Sequence, residues 1–164
     1  SSTWNRLLPR LTGIWPVSKL MDTQSKEVIM ALRKIDKIIV HCADTPDGKD
    51  FTIKDIDRWH KERGWQCCGY HHVIRLDGTI ENGRPLAQIG AHCKGYNENS
   101  IGICLIGRRE FTPAQLVSLR NLIGSYRKLF PGSEVFGHYE LCRYKSCPNF
   151  NVKDWYYGGI FKQI

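Results

Sequence analysis

The sequence predicts an α/β fold, a single domain in which helices flank a mixed central β-sheet. Two apolar runs, 35–42 and 100–107, have the length and β-branched content of buried strands. A longer run that begins at Thr112 has its apolar residues at helical spacing. Strand and helix signals alternate along the 164 residues, and a chain of this length buries a core large enough to fold without disulfide bonds.

Local patterns place each element. We expect strands at 35–42, 71–76, 79–82, 100–107 and 134–138, and helices at 25–33, from Thr52 to Gly64, from Thr112 to Pro131 and at 151–157. The pair Asp77-Gly78 is the strongest hairpin signal in the chain and separates the second strand from the third. Thr52 with Asp55, and Thr112 with Gln115, have the spacing of capping boxes, which mark helix starts.

The chain carries a formal net charge of +8, with 24 lysines and arginines against 16 acidic residues. Such a surface attracts polyanions, and nucleic acid, anionic membrane and bacterial cell wall all meet that description. Alternatively, the charge mainly keeps the protein soluble. The basic residues are dispersed, and no basic stripe is interleaved with aromatic residues. We therefore expect no nucleic-acid partner.

Residues 1–34 are expected to form a basic extension and a short helix, separate from the main domain at 35–164. The segment 1–20 carries three basic residues, no acid and two tryptophans. It suits either contact with an anionic cell envelope or packing as an arm on the domain, and the packed arm is favoured. No stretch of 18 apolar residues is present, and prolines interrupt any signal-peptide core. We therefore expect no transmembrane segment and a chain made in the cytoplasm without a signal peptide. We also expect a monomer.

The seven cysteines are an odd number, so they cannot all pair within one chain. Cys67 and Cys68 are adjacent and cannot bridge each other without strain. A reduced compartment with several buried thiols is the simplest interpretation. Cys147 is in addition a candidate metal ligand.

Two histidines and this cysteine form a candidate metal site. A catalytic zinc needs three protein ligands and one open position for water. His41 ends the first predicted strand, His138 ends the last, and Cys147 follows on a loop. The spacing alone leaves open whether these are ligands or ordinary core and surface residues. The adjacent His71 and His72 point to opposite faces of a strand, and we expect neither to bind the metal.

A series of short motifs occurs in one order between residues 35 and 157. The motifs are His41-Cys42-Ala43-Asp44-Thr45, Trp59-His60-Lys61, Gly64-Trp65, Gly69-Tyr70-His71, Asp77-Gly78-Thr79, Gly83-Arg84, Gly90 to Asn97, Ser100-Ile101-Gly102-Ile103, Phe111 to Gln115 and Lys145-Ser146-Cys147-Pro148. This order resembles the type-2 N-acetylmuramoyl-L-alanine amidase family. That family includes the small amidase lysozymes of T-odd coliphages and shares its fold with the peptidoglycan recognition proteins.

The resemblance implies an endolysin-like enzyme that acts on the bacterial cell wall with one Zn²⁺ per chain. Its substrate would be peptidoglycan, and the bond cleaved would be the amide between N-acetylmuramic acid and the L-alanine of the stem peptide. The site residues that it implies are the zinc ligands His41, His138 and Cys147, the catalytic residues Tyr70 and Lys145, and the substrate-binding residues His92 and Asn97.

Three alternatives stay open at this point. A wall-binding module of the same fold would hold muropeptide without cutting it, although such relatives commonly lose the cysteine that corresponds to Cys147. A glycosidase would need two paired carboxylates, and Glu81, Glu98 and Glu140 show no such spacing. Cys142 lies four residues after His138, a spacing that is typical of metal ligands. As a fourth ligand it would make the zinc structural.

Overall fold

The structure is a computed structural model that describes residues 33–164. The basic segment 1–20 and the predicted helix at 25–33, apart from Arg33, lie outside the described residues. Among residues 33–164, no helix combines the length and the apolar character needed to cross a membrane.

Five strands form one mixed sheet in the order β3-β2-β4-β1-β5. The strands are β1 Lys37–Cys42, β2 His72–Ile74, β3 Ile80–Asn82, β4 Ser100–Leu105 and β5 Glu134–Gly137. β1 pairs in parallel with both β4 and β5, and β2 pairs in parallel with β4. β3 is antiparallel to β2. The predicted mixed sheet is confirmed, and so is the hairpin at Asp77-Gly78.

The helices of the described chain are α1 Ile53–Glu62, α2 Pro113–Leu129, α3 His138–Leu141 and α4 Val152–Gly158, with a 3₁₀ turn at Asn97–Asn99. Three of them were predicted, whereas α3 was not. The last strand was expected to reach residue 138, but β5 ends at Gly137 and His138 begins α3. The Glu140 carboxylate accepts from the Gly137 N–H at 2.7 Å, which caps the new helix and turns the chain.

Apolar side chains pack on both faces of the sheet. Ile103 and Leu105 of β4 pack in a large cluster with Leu122 of α2 and with side chains of α4. Cys104, between them in sequence, joins a smaller cluster with Ile56 of α1. This alternation follows from the two-residue period of a strand. The sheet is therefore the middle layer, with α2 and α4 on one face and α1 on the other.

The start of α2 is fixed to the sheet by a buried amide. The Thr112 hydroxyl accepts from the Gln115 N–H at 3.1 Å, and Gln115 Oε1 accepts from the Thr112 N–H at 2.9 Å, which is the predicted capping box. Gln115 Nε2 also donates to the carbonyls of Ile106, at 2.8 Å, and Ile74, at 3.2 Å. The cap therefore sets the position of the helix relative to two strand ends.

Arg33 is a buried cation that joins two loop segments. Its guanidinium donates to five backbone carbonyls, those of Leu86, Gln88, Asn97, Glu98 and Ser100. The shortest of these bonds is 2.7 Å, to Ser100. Burial lowers the pKa of Arg33 to about 10, so the group is still protonated at neutral pH. Arg33 thereby holds segments 86–88 and 97–100 together, on either side of His92 in the sequence.

His72 is buried between the sheet and α2. Its Nδ1–H donates to Asn82 Oδ1 at 3.1 Å, and its Nε2 accepts from the hydroxyl of the buried Tyr126. This pattern suits the neutral imidazole, which has one donor and one acceptor nitrogen. Burial lowers the pKa of His72 to about 4.

The depressed pKa of His72 predicts a loss of stability in mild acid. Between pH 6.5 and about 4 the unfolded chain binds a proton at this residue that the folded chain does not bind. The free energy of unfolding should therefore fall as the pH is lowered through this window, with a contribution from His72 of up to about 3 kcal/mol. Urea unfolding at pH 7 and pH 4.5 should show a smaller decrease for His72→Gln than for the parent. Equal decreases would contradict the prediction.

Candidate metal centre

His41, His138 and Cys147 form a cluster in which the three candidate ligand atoms lie within 4.8 Å of one another. The sheet explains how the two histidines meet. β1 and β5 are parallel neighbours, and Val40 is paired with Gly137. The next residue in each chain segment is a histidine, so both imidazoles emerge side by side at the same edge of the sheet.

Cys147 reaches this edge from the loop that follows α3. The Cys147 carbonyl accepts from the Tyr139 N–H at 3.0 Å, which ties the loop to the helix. The Cys147 sulfur in turn lies 3.0 Å from the N–H of Cys42, at the end of β1. A backbone N–H that points at sulfur favours the thiolate, the form that binds metal.

Both histidines of the cluster are held in the neutral form. Burial, with the nearby His92 and His138, lowers the pKa of His41 well below its ordinary value. Burial and the positive charge of Lys145 lower the pKa of His138 to about 4. Contact with the Cys42 side chain and burial raise the pKa of the Cys147 thiol, so a bound cation is needed to hold this sulfur as thiolate.

The donor set fits a tetrahedral metal ion. Zn–N bonds of about 2.0 Å and Zn–S bonds of about 2.3 Å place tetrahedral nitrogen and sulfur ligands roughly 3.3–3.5 Å apart. The three candidate atoms lie within 4.8 Å of one another, so they need to move closer by about 1.5 Å at most to reach this geometry. Two imidazoles and one thiolate are ligands that zinc prefers. Within the described part of the chain, neither Cys142 nor His92 belongs to the cluster. Three protein ligands with a fourth position open is the arrangement of a catalytic site.

Tyr70 lies beside the cluster. Its ring centre is 5.1 Å from that of His41, and its side chain is half-buried. Burial and several neighbouring cysteines raise the pKa of Tyr70 well above its ordinary value. The phenol therefore remains protonated at neutral pH and can act as a hydrogen-bond donor.

Lys145 lies on the exposed side of the same cluster. Its side chain is exposed, and its backbone N–H donates to the carbonyl of Cys142 at 3.1 Å. Its ammonium is near enough to His138 to lower the pKa of that imidazole. The structure thus brings both predicted catalytic residues, Tyr70 and Lys145, to the neighbourhood of the three candidate ligands.

The two residues predicted to bind substrate have contacts within the protein. His92 is buried, and its Nδ1 lies 2.8 Å from Nε2 of His41. Burial and the nearby His138 lower the pKa of His92 to about 3, so this imidazole is also neutral. Asn97 Oδ1 accepts from the N–H groups of His92 and Cys93, each at 2.9 Å. The Asn97 side chain therefore stabilises the conformation of the loop that carries His92.

Cys42 and Ser100 contact the candidate site residues Cys147 and His92, although no sequence motif predicted either contact. The backbone N–H of Cys42 donates to the Cys147 sulfur. Every residue except proline has a backbone N–H, so the residue type at position 42 does not predict this contact. Ser100 contacts His92 through its hydroxyl at 3.2 Å. Ser100 begins a buried strand, and only the three-dimensional packing shows that its side chain meets His92.

Solved structures with a similar fold are amidases and peptidoglycan recognition proteins. The N-acetylmuramoyl-L-alanine amidase LysC from Clostridium intestinale URNW superposes with a TM-score of 0.65 and 32% identity, covering 71% of this chain and 77% of that one. Drosophila peptidoglycan recognition protein LB gives a TM-score of 0.64 and 29% identity, covering 90% of this chain and 84% of that one. Fold and three-ligand cluster together define an amidase-type domain.

Sequence comparison specifies the family. The family model for N-acetylmuramoyl-L-alanine amidase matches residues 31–150. The endolysin of Escherichia phage T7 is 42% identical over 129 residues, or 74% of this chain and 85% of the relative. The endolysin of Klebsiella phage KP32 is 39% identical over 132 residues, or 76% of this chain and 87% of the relative. The chain belongs to the N-acetylmuramoyl-L-alanine amidase family and is an enzyme of that class.

The cluster predicts sulfur ligation of a divalent metal by Cys147 and not by Cys142. Co²⁺ added to the parent chain should produce the near-ultraviolet charge-transfer band of a thiolate ligand. Cys147→Ser should lose this band. It should also weaken metal affinity by more than about 100-fold, the upper range for removing a residue that only hydrogen-bonds to a ligand. Cys142→Ser, the matched control, should keep both. A band that disappears in Cys142→Ser and persists in Cys147→Ser would refute this ligand assignment.

Proposed function

We propose that the protein is a zinc-dependent peptidoglycan amidase that hydrolyses the amide bond between N-acetylmuramic acid and the L-alanine of the stem peptide. The observation that carries this proposal is the cluster of His41, His138 and Cys147, which no fourth candidate ligand of the described residues joins. Three protein ligands would leave the fourth position of a tetrahedral zinc for water. Membership of the amidase family supports the bond specificity.

Several relatives have names that connect them to the bacterial wall. The phage relatives are endolysins. A variant of Drosophila peptidoglycan recognition protein LB, 28% identical to this chain, has been solved in complex with tracheal cytotoxin. These relatives support a muropeptide substrate and the bacterial cell wall as the site of action. The net charge of +8 is suited to an anionic wall or envelope. Envelope contact by residues 1–20 and a monomeric state stay predictions.

The chemistry requires a stronger nucleophile and a stronger electrophile than water and an amide provide. Zn²⁺ held by the cluster would supply both, because it acidifies water and polarises a carbonyl oxygen. His41 and His138 would hold the ion as neutral ligands, and Cys147 would contribute one negative charge. The loaded site would keep a net positive charge, which favours the oxyanion that develops on the substrate.

Tyr70 and Lys145 are proposed to act on the reacting amide itself. The protonated Tyr70 hydroxyl beside His41 is suited to hydrogen-bond the attacking water or the developing oxyanion. Lys145 places an exposed ammonium near His138, where it can stabilise the same negative charge. Hydrolysis also requires a proton for the departing amine, and both side chains carry a proton that can be donated.

A wall-binding module of the same fold is the alternative function. Such a module needs a surface that binds muropeptide, but neither a complete ligand set nor a polarising group. This chain has Cys147 at the third ligand position, together with Tyr70 and Lys145 nearby. That combination favours catalysis over binding alone.

The proposed activity predicts a specific product. The zinc-loaded chain should release new L-alanine amino termini from purified peptidoglycan and no reducing sugar ends. Chelation should abolish release, and added Zn²⁺ should restore it. Amine labelling and a reducing-sugar assay on the same digest measure both products. Binding to the wall without new amines would support the binding module, and reducing ends would indicate a glycosidase.

The proposed catalytic roles predict losses of kcat without loss of metal. Tyr70→Phe and Lys145→Met should each lower kcat by about 10²–10³-fold, the usual effect of removing one group that stabilises the oxyanion or transfers a proton. Zinc content should stay at the parent level, because neither residue is a ligand. Lys162→Met removes an exposed lysine elsewhere and is the control for net charge. A variant with parental kcat would exclude that residue from catalysis.

A further inference from the structure

We propose that His92 is a positioning residue for the metal ligand His41 and that Ser100 completes its support. This inference rests on the proposed zinc site and replaces the substrate-binding role that the sequence predicts for His92. Four features of the structure support it: the contact between the two imidazoles, the contact with Ser100, the packing of the His92 ring, and its burial.

The contact between the imidazoles decides which His41 nitrogen faces the metal. Nε2 of His41 lies 2.8 Å from Nδ1 of His92. A neutral imidazole has one nitrogen that donates and one that accepts. If Nε2 of His41 donates to His92, the lone pair of His41 is on Nδ1, and Nδ1 is the nitrogen left for the ion. His92 would thus fix both the tautomer and the orientation of the ligand.

Ser100 fixes His92 in the same way. Nε2 of His92 lies 3.2 Å from the hydroxyl oxygen of Ser100, which is completely buried. In the arrangement in which Nδ1 of His92 accepts from His41, the His92 proton is on Nε2 and is donated to Ser100. His41 lies on β1 and Ser100 on β4, and these strands are hydrogen-bonded neighbours. Both ends of the two-bond chain are therefore anchored on one rigid sheet.

Two glycines restrict the His92 ring. A β-carbon added at Gly102 would lie 2.5 Å from Cγ of His92, and one added at Gly90 would lie 2.6 Å from Cδ2. Any side chain at either position would displace the ring. Asn97 Oδ1 holds the backbone N–H of His92 at 2.9 Å. The ring is thus oriented by the protein before any metal binds.

Burial argues against direct contact of His92 with substrate. The residue is 9% exposed, and both ring nitrogens have partners within the protein. A substrate therefore finds neither a free donor nor a free acceptor on this ring. His92 is also outside the cluster of candidate ligand atoms, so it is not a fourth ligand.

A matched pair of variants separates the hydrogen bond from packing. His92→Asn places an acceptor oxygen near the former position of Nδ1. The leucine side chain in His92→Leu has nearly the same shape as asparagine but no hydrogen-bond acceptor. Zinc affinity is measured on the full chain by competition with a chromogenic chelator, alongside kcat and KM for amine release. We expect His92→Leu to bind zinc about 10–100-fold more weakly than the parent, the usual effect of removing a hydrogen-bond partner of a metal ligand. His92→Asn should recover most of that loss, while thermal unfolding of the metal-free chains should be similar.

Three results would overturn the inference while leaving the amidase proposal intact. If both variants bind zinc as tightly as the parent and only KM rises, His92 contacts substrate. If both bind zinc tightly and all kinetic constants are unchanged, His92 has no role in the site. If both variants lose zinc affinity equally, packing and not the hydrogen bond supports His41.

The proposed function and this inference fail in different ways. A parent chain that binds no zinc would refute the zinc site, and the role of His92 with it. If His92→Leu does not fold, Ser100→Ala decides the question. That variant removes only a buried hydroxyl and should bind zinc more weakly than the parent, though by a smaller factor than His92→Leu. Unchanged zinc affinity in Ser100→Ala would then overturn the inference.

Discussion

The parallel pairing of β1 with β5 is the constraint on which the site depends. The pairing of Val40 with Gly137 makes His41 and His138 neighbours at one edge of the sheet. A shift of this register by one residue would turn one imidazole to the opposite face. Cys147 depends on the same strand, since its sulfur is placed by the N–H of Cys42. The cluster is therefore built on the backbone ladder, and loops contribute one of its three side chains.

Burial then determines the chemistry that this geometry allows. In a low-dielectric setting the charged form of an imidazole is disfavoured, so His41, His92 and His138 are all neutral. Neutral imidazoles have lone pairs for an ion and for one another. The same effect keeps the Tyr70 phenol protonated. One physical cause, desolvation at this edge of the sheet, thus keeps the candidate histidine ligands neutral and the Tyr70 phenol protonated.

Much of the fold could be predicted because its signals are local. Buried strands such as β1 are continuous apolar runs, and the Thr112 and Gln115 capping box marks the start of α2 without any knowledge of the tertiary structure. The short helix α3 could not be predicted in this way. It is four residues long, and Gly137, which has no side chain to signal a cap, precedes it.

The candidate site was predictable to a different extent. The ordered motifs singled out His41, His138 and Cys147, and the structure brings these three together. The roles of His92 and Asn97 depend on which way each side chain points, and spacing does not contain that information. Ser100 and the two glycines that enclose His92 become part of the site only through packing between distant segments. Contacts of this kind between residues far apart in sequence have no local signature.

Arg33 has a consequence for where a working fragment of this enzyme can begin. A chain shortened to start at Lys34 would retain all five strands and every proposed ligand. It would also leave five carbonyl groups without the guanidinium that now bridges them. All seven cysteines are free thiols, so no disulfide is available to substitute for that bridge. Because this bridge consists of hydrogen bonds, reducing agents leave it intact. Removing residue 33 by truncation eliminates it.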